Sequence, residues 1–198
     1  QMGGKLMGFE SDCEVGKSKL ELALEKSDYS WIEASNILTY IYLYFERDYE
    51  NALRTISPLV DKFPGHPFFT LLKAEVLAKL DDWEELDLFR DRLEFFTKNG
   101  TFLQKNECEL KLKYIDSIYA FKRKDYDSVF VNTDWIINNY HMEFDWLLGL
   151  TYMIRGQTFD KLNMHNLAIK EYRSVVELNN YFPEVDEAKE LIKLSYKR

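Results

Sequence analysis

The sequence is poor in the residues that cross-link a small protein or bind a metal. Two cysteines, Cys13 and Cys108, stand far apart in 198 residues, and the three histidines are His66, His141 and His165. Neither set has the spacing of a metal site. We therefore expect no metal, no cofactor, two cysteines that are small core side chains, and histidines that lie in surface turns.

Positive charge and long apolar runs are also scarce. The chain has 26 Lys and Arg against 34 Asp and Glu, a formal net charge of −8. Binding to a phosphate backbone or an anionic membrane needs clustered positive charge, so neither nucleic acid nor a membrane surface is an expected partner. The longest nearly apolar run, residues 37–45, is too short for membrane insertion. We expect a soluble protein, cytoplasmic by default, or periplasmic or exported if Gln1 follows a removed segment.

No catalytic constellation stands out. Gly16-Lys17-Ser18 resembles the end of a phosphate-binding loop, but Ser11 occupies the position of the required glycine and no strand pattern precedes it. Acidic residues such as those at 81–85 fall at predicted helix starts, where they complement the helix dipole. The chain is therefore not expected to be an enzyme.

Helical periodicity runs along nearly the whole chain, and strand-like alternation is almost absent. The predicted helices cover residues 17–25, 31–45, 49–63, 67–80, 83–98, 101–122, 126–139, 143–162, 165–178 and 184–197. Glycines weaken any helix prediction before residue 17.

Capping patterns predict several of these boundaries. Ser30 with Glu33, and Thr101 with Gln104, have the spacing of a capping box. Asn99-Gly100 is expected to end its helix in the left-handed conformation that these residues tolerate.

Two apolar stripes are expected to be buried. Leu20, Ala23 and Leu24 form the stripe of the first helix. The last helix has Val185, Ala188, Leu191 and Ile192 on one face, with Glu184 among the charged residues of the other. This pattern predicts a helix that caps the fold.

The turn between paired helices recurs along the chain. It reads Asp48-Tyr49, Asp82-Trp83, Asp125-Tyr126 and Met164-His165, and the aspartates are expected to be helix N-caps, with Asp81 as the alternative cap in the second turn. Paired helices at a period of thirty to forty residues are typical of a helical repeat protein, because one pair cannot bury its apolar face alone.

The last pair resembles the tetratricopeptide repeat family. Its matching residues are Tyr152, Gly156, Phe159, Ala168, Tyr172 and Val175, which follow the family's order of aromatic and small positions. The first pair keeps Ala52, Ile56 and Leu59, but its leading helix is one residue longer and has Thr39 at the glycine position.

The resemblance implies an all-α fold, a right-handed superhelix (solenoid) of antiparallel helix pairs. Residues 30–198 would form about four helix pairs and the cap helix 184–197, and residues 1–29 would be a partial leading repeat or an N-terminal extension. Its function would be that of a non-catalytic scaffold or adaptor that binds a peptide or partner helix in a concave groove. A structural or oligomerisation module, with a homo-oligomer as one form, is the alternative.

The family's groove positions give a set of candidate contact residues. They are Tyr40, Tyr44, Lys79, Tyr114, Phe121, Lys122, Met153 and Lys161. Lys79, Lys122 and Lys161 would form a basic row on an acidic protein, which favours a partner with acidic and apolar residues.

Overall fold

The computed structural model describes residues 13–178 and 182–195, and these residues form helices without any strand. The helices are α1 Cys13–Lys26, α2 Trp31–Tyr40, a π-helix Ile41–Glu46, α3 Tyr49–Lys62, α4 Pro67–Leu80, α5 Trp83–Asn99, α6 Phe102–Lys122, α7 Tyr126–Asn139, α8 Trp146–Lys161, α9 His165–Glu177 and α10 Pro183–Ser195. The all-α prediction is confirmed. Residues 196–197 of the predicted last helix lie outside the described residues.

The chain divides into two compact units, the first ending at Gly65 and the second beginning at His66. In the first unit, α1 packs on α2, and both α2 and the π-helix pack on α3. Its core contains Ala34, Leu38, Ala52, Ile56 and Leu59. The sequence analysis placed a boundary after residue 29, between a leading extension and the repeats. That boundary separates repeats and not compact units, so it stays a prediction.

In the second unit, the first helix of each hairpin contacts the next such helix. The helix α4 packs on α5 and α6, α6 packs on α7 and α8, and α8 packs on α9 and α10. The helices α4, α6 and α8 are therefore neighbours, with α6 in contact with the other two.

The four hairpin turns share one backbone conformation. One turn residue of each hairpin, Arg47, Asp81, Lys124 or Asn163, has a positive φ of 55°, 67°, 62° or 59°. It follows the first helix directly in two hairpins and after one further residue, Arg123 or Leu162, in the other two. The next residue is the N-cap of the second helix. In three turns this residue is Asp48, Asp82 or Asp125, whose carboxylate accepts from the amide three residues later. The aspartate N-caps are thus confirmed, while Met164 makes no side-chain cap.

One further hydrogen bond closes each turn. The number of residues that it spans shows how the leading helix of the first hairpin can be one residue longer than the others. The N-cap amides of Asp82, Asp125 and Met164 donate to the carbonyls of Leu77, Ala120 and Phe159, five residues earlier. The amide of Asp48 instead donates to Tyr42, six residues earlier. A π-helix accommodates one extra residue, so the segment Ile41–Glu46 absorbs the insertion and leaves the turn unchanged.

Aligning the four turns shows the same buried positions in each hairpin. Seven residues before the positive-φ residue, or eight where the π-helix intervenes, the chain has Thr39, Ala74, Ser117 and Gly156, all buried. Five and twelve residues after it, the buried pairs are Ala52 and Leu59, Leu86 and Leu93, Val129 and Ile136, and Ala168 and Val175. Small residues therefore occupy matching places on all four first helices.

Gly156 shows why this position must be small. A Cβ atom placed on it would lie 2.3 Å from Cε1 of Tyr172, a side chain that is fully buried. The glycine thus lets the ring of Tyr172 pack directly against the backbone of α8.

Several boundary predictions are wrong for local reasons. Ser30 makes no side-chain cap because its backbone is helical rather than extended, and its amide donates instead to Oγ of Ser27. Gly100 is extended, with φ of −69°, because Thr101 starts the next helix at once. The predicted capping box at Thr101 and Gln104 is confirmed.

Two further expectations about local structure fail. The helix expected from residue 143 begins at Trp146, since the hydroxyl of Tyr140 donates to the carbonyl of Phe144 and holds a loop there. Cys13 is exposed, whereas Cys108 is buried as expected.

Burial on the terminal helices follows the predicted stripes only in part. In α1, Leu20, Ala23 and Leu24 are half-buried, and none of the residues of this helix is buried. In α10, Val185 and Ala188 are buried, and Leu191 and Ile192 pack partly buried against the same core cluster. Glu184, expected on the exposed face, is buried at 7% exposure. It lies beside Val185 in the first turn, where the helix enters the core.

Candidate functional site

The three lysines predicted to form a basic row occupy equivalent places in the second unit. Lys79, Lys122 and Lys161 stand in the last turns of α4, α6 and α8, each two residues before the positive-φ residue of its turn. Phe45 occupies this position in the first hairpin. The helix α6 packs on both α4 and α8. The ends that carry the lysines are adjacent, because Lys122 bonds to the carbonyl of Lys79 and because Phe121 and Lys161 line one pocket.

Lys79 and Lys122 are connected through direct contacts. The ammonium of Lys79 donates to the hydroxyl of Tyr114 at 2.8 Å and lies 5.0 Å from the centre of its ring. The ammonium of Lys122 donates to the backbone carbonyl of Lys79 at 3.4 Å and pairs with Asp81 at 3.2 Å. The ends of α4 and α6 therefore meet at these two lysines, of which only Lys122 has a carboxylate partner within residues 13–178 and 182–195.

Aromatic rings surround this basic pair. The rings of Trp83 and Tyr119 meet edge to face at 4.8 Å, and the guanidinium of Arg123 lies 4.2 Å from the centre of Tyr119. The indole of Trp83 and the ammonium of Lys122 both donate to Asp81, and these bonds lower the pKa of that carboxyl. Asp81 therefore stays ionised and is already engaged with its own neighbours.

A pocket of about 380 Å³ opens between the last turns of α6 and α8 and the helices α9 and α10. Its lining residues are Phe121, Gln157, Asp160, Lys161, Tyr172 and Leu191. The carboxylate of Asp160 accepts from the hydroxyl of Tyr172 at 2.9 Å and contacts Nδ1 of His165 at 2.8 Å. In the part of the chain that the structure describes, Lys161 makes no ion pair, and the pocket is lined by its ammonium and by the carboxylate of Asp160.

A second set of charges serves to join helices. Arg155 on α8 bonds to Asp134 and to Oγ1 of Thr133 on α7, and it pairs with Glu171 on α9 at 3.3 Å. Burial raises the pKa of Glu171, while Arg155 acts in the opposite direction. These groups pair with one another across three helices, which is typical of a structural network rather than of an open binding site.

The remaining candidate residues are less accessible than their predicted groove positions imply. Tyr44, Tyr114 and Met153 are only 4%, 2% and 4% exposed. Tyr40 is half-buried, with its ring 5.4 Å from that of Tyr44. Met153 belongs to the core cluster that contains Tyr172. The helices α6 and α8 each contact four neighbouring helices, so the spacing of apolar residues could not separate the open face of either helix from its packed faces.

The sequence did not indicate the other half of the pocket. Gln157, Asp160, Tyr172 and Leu191 come from three helices, and of these only Tyr172 and Leu191 had been singled out, both as packing residues. Phe121 and Lys161 had been predicted as site residues, and the pocket brings them together. The histidines had been expected in surface turns: His66 and His141 are exposed, and His165 is half-buried beside Asp160.

Comparison of the chain with protein-family models, with characterised proteins and with solved structures finds no match. Within the described residues, no three His, Cys, Asp or Glu side chains are grouped as a metal site would need. Over the same residues, no helix is both long and apolar enough to cross a bilayer.

Proposed function

We propose that this chain is a non-catalytic interaction module of the tetratricopeptide type, with its helix pairs stacked as a right-handed solenoid. Support for the repeat comes from the shared turn conformation and from the small buried residues at matching places in the four hairpins. In such a module the first helices of successive pairs line a concave surface. In the second unit those helices are α4, α6 and α8.

The observation that carries the proposed function is a row of three lysines on neighbouring helices, the last of which, Lys161, lines a pocket with Phe121 and Leu191. A lysine in the last turn is common in this chain, as at Lys26, Lys62 and Lys98, because it complements the helix dipole. Lys79, Lys122 and Lys161 differ in standing on three first helices whose ends are adjacent, as the bond from Lys122 to the carbonyl of Lys79 and the pocket shared by Phe121 and Lys161 indicate. We assign the binding surface to these lysines together with the pocket at Phe121.

This surface suits a partner segment that carries both acidic and apolar residues. An apolar side chain in the pocket, against Phe121 and Leu191, would provide most of the affinity. Carboxylates facing the lysines would fix the register and speed association, because charge complementarity acts mainly on orientation and on-rate. The partner would be a peptide or a helix of another protein.

Selection from a display library of random peptides tests the proposal. We expect the selected peptides to combine Asp or Glu with Leu, Ile, Met or Phe. Their binding should weaken with added salt and be lost in the triple variant Lys79→Glu, Lys122→Glu and Lys161→Glu. Circular dichroism of the variant should match the parent, since these side chains contribute little to the core.

A second triple variant controls for the change in net charge. Lys26→Glu, Lys62→Glu and Lys193→Glu also replaces three last-turn lysines, and these lie on α1, α3 and α10. It should keep the peptide binding of the parent. Equal binding by both variants, or selected peptides without acidic residues, would remove the basis for the proposed surface.

A structural or oligomerisation module remains the second candidate function. The observation that favours it lies elsewhere in the second unit, on the exposed face of α5.

A further inference from the structure

The outward side of α5 and the adjoining start of α6 carry large apolar side chains without cover. Leu88 and Phe95 are 77% and 58% exposed, and they stand two helical turns apart on the same side of α5. Phe102 and Leu103, in the first turn of α6, are each 76% exposed. We call these four residues the α5 face. The opposite side of the helix is anchored in the core by Leu86, Leu93 and Phe96.

The α5 face is large for a monomer. Side chains of this size, more than half exposed, present on the order of 500 Å² of apolar surface. Patches of that area are as large as the largest on typical monomers and are often functional. A standard interface buries about 800 Å² on each partner, so the α5 face would supply more than half of one.

Charge is distributed unevenly along the same helix. Residues 83–91 carry four acids and Arg90, a net charge of −3, whereas residues 92–99 carry Arg92, Glu94 and Lys98, a net charge of +1, and Lys105 follows in α6. Within the second half, Lys98 pairs with the exposed Glu94 at 3.8 Å. Two copies of α5 aligned antiparallel would bring the basic end of each near the acidic half of the other. A parallel alignment would place like charges together. The pattern is therefore complementary to itself under a two-fold axis.

We propose that the α5 face is a dimer interface between two copies of this chain, with the two α5 helices antiparallel. A two-fold axis passing near residues 91 and 92 sets Leu88 of one copy against the partner's Phe95, and the symmetry repeats this contact. Phe102 and Leu103 extend the contact beyond the end of the helix. The interface uses neither the three lysines nor the pocket, so it goes beyond the proposed function.

Sedimentation velocity over a range of protein concentrations tests the dimer. The parent chain should show a concentration-dependent monomer and dimer equilibrium. The variant Leu88→Glu with Phe95→Glu should weaken it by about 100-fold or more, since two apolar contacts are replaced by facing charges. The control Val131→Glu, at a 67% exposed position on α7, should leave it unchanged. A parent that stays monomeric throughout, or a dimer that the double variant leaves intact, would overturn the proposal.

Cysteine cross-linking tests the antiparallel register. In a Cys13→Ser background, which leaves only the buried Cys108, the variant Leu88→Cys with Phe95→Cys should form disulfide-linked dimers under mild oxidation. Leu88→Cys alone should not, because the two copies of residue 88 would be separated by seven residues, or about 10 Å, along the helices. Efficient linkage of the single variant would contradict the register. Both variants should keep the helical content of the parent, because residues 88 and 95 are exposed.

Discussion

The first and last hairpins reach the same turn by different routes. In the last hairpin, α8 is regular up to its turn, and the closing bond from Met164 spans five residues. In the first hairpin, the π-helix Ile41–Glu46 takes up one more residue, and the bond from Asp48 spans six. The two hairpins therefore share the same turn conformation, and the extra residue of the first hairpin is taken up in the helix that precedes the turn.

The contact at the helix crossing differs as well. Gly156 of the last hairpin leaves space for the ring of Tyr172. At the same place in the first hairpin, Thr39 is fully buried and its hydroxyl lies 2.8 Å from that of Thr55. The same crossing is thus filled by a ring in one hairpin and by a hydrogen-bonded pair of small side chains in the other.

Deleting one residue before each turn gives the largest expected contrast between the two hairpins. Removing Phe45 should convert the π-helix into an α-helix at a cost of no more than about 1 kcal/mol, because the inserted residue is lost and the turn register is kept. Removing the equivalent Lys161 should rotate α9 about its axis. Exposing Tyr172 and Val175 would then cost roughly 3–6 kcal/mol.

Chemical denaturation, monitored by circular dichroism, compares the free energies of unfolding of the two deletion variants. Equal losses of stability in both would mean that the π-helix is not an accommodated insertion.

A side chain at Gly156 should produce the next largest effect. Gly156→Val would place a Cβ atom against the buried ring of Tyr172, whose hydroxyl is fixed by Asp160. Overpacking of this kind costs about 1–3 kcal/mol, and we expect the upper end of that range. Thermal and chemical denaturation measure the loss. The control is Gly16→Val on α1, where a Cβ meets nothing within 4 Å, and it should be nearly neutral.

The smallest effect concerns the caps. Asp48→Ala should cost about 1 kcal/mol at neutral pH by removing the N-cap of α3. Hydrogen bonds from the side chain and backbone amide of Asn51 lower the pKa of Asp48 below its ordinary value of 3.8. The stabilisation is therefore present above pH 3.8 and is lost as the pH falls through the lower, folded-state pKa.

In the last hairpin a carboxylate N-cap can be added instead of removed. Met164 is the N-cap that makes no side-chain bond and is 48% exposed, so Met164→Asp should add up to about 1 kcal/mol at neutral pH. Unfolding curves of both variants from pH 7 down to about pH 3 should converge on the parent as the aspartates become protonated. A pH-independent difference would show that the effect is not that of a carboxylate cap.

Helix boundaries were predictable wherever a local signal fixed them. The aspartate N-caps, Pro67 at the start of α4 and the capping box at Thr101 all depend on bonds within a few residues. The capping box at Ser30 failed because its backbone is helical and its amide, from which Glu33 would accept in a capping box, donates to Oγ of Ser27. The π-helix could not be foreseen, since the extra residue was visible only as a helix one residue too long. Its winding depends on the packing of Tyr42 and Tyr44.

The candidate site was predictable only for residues whose positions are fixed by their distance from a hairpin turn. The lysines fell at equivalent places because they were aligned on turns whose geometry is the same. Tyr114 and Met153 were placed by the same alignment, but their burial depends on which helices pack on α6 and α8. Leu191 comes from α10, which follows the last hairpin. The repeat pattern therefore does not predict where this helix lies relative to the turns.

The shared turn also bears on the kinetics of folding. Its closing bonds link residues only five or six apart, and the helices on either side contact each other directly. Each hairpin can therefore form from local contacts, before distant parts of the chain meet. Proteins dominated by such contacts fold quickly because little loop entropy is lost early. The turns at Arg47, Asp81, Lys124 and Asn163 thus provide four separate places at which folding can begin.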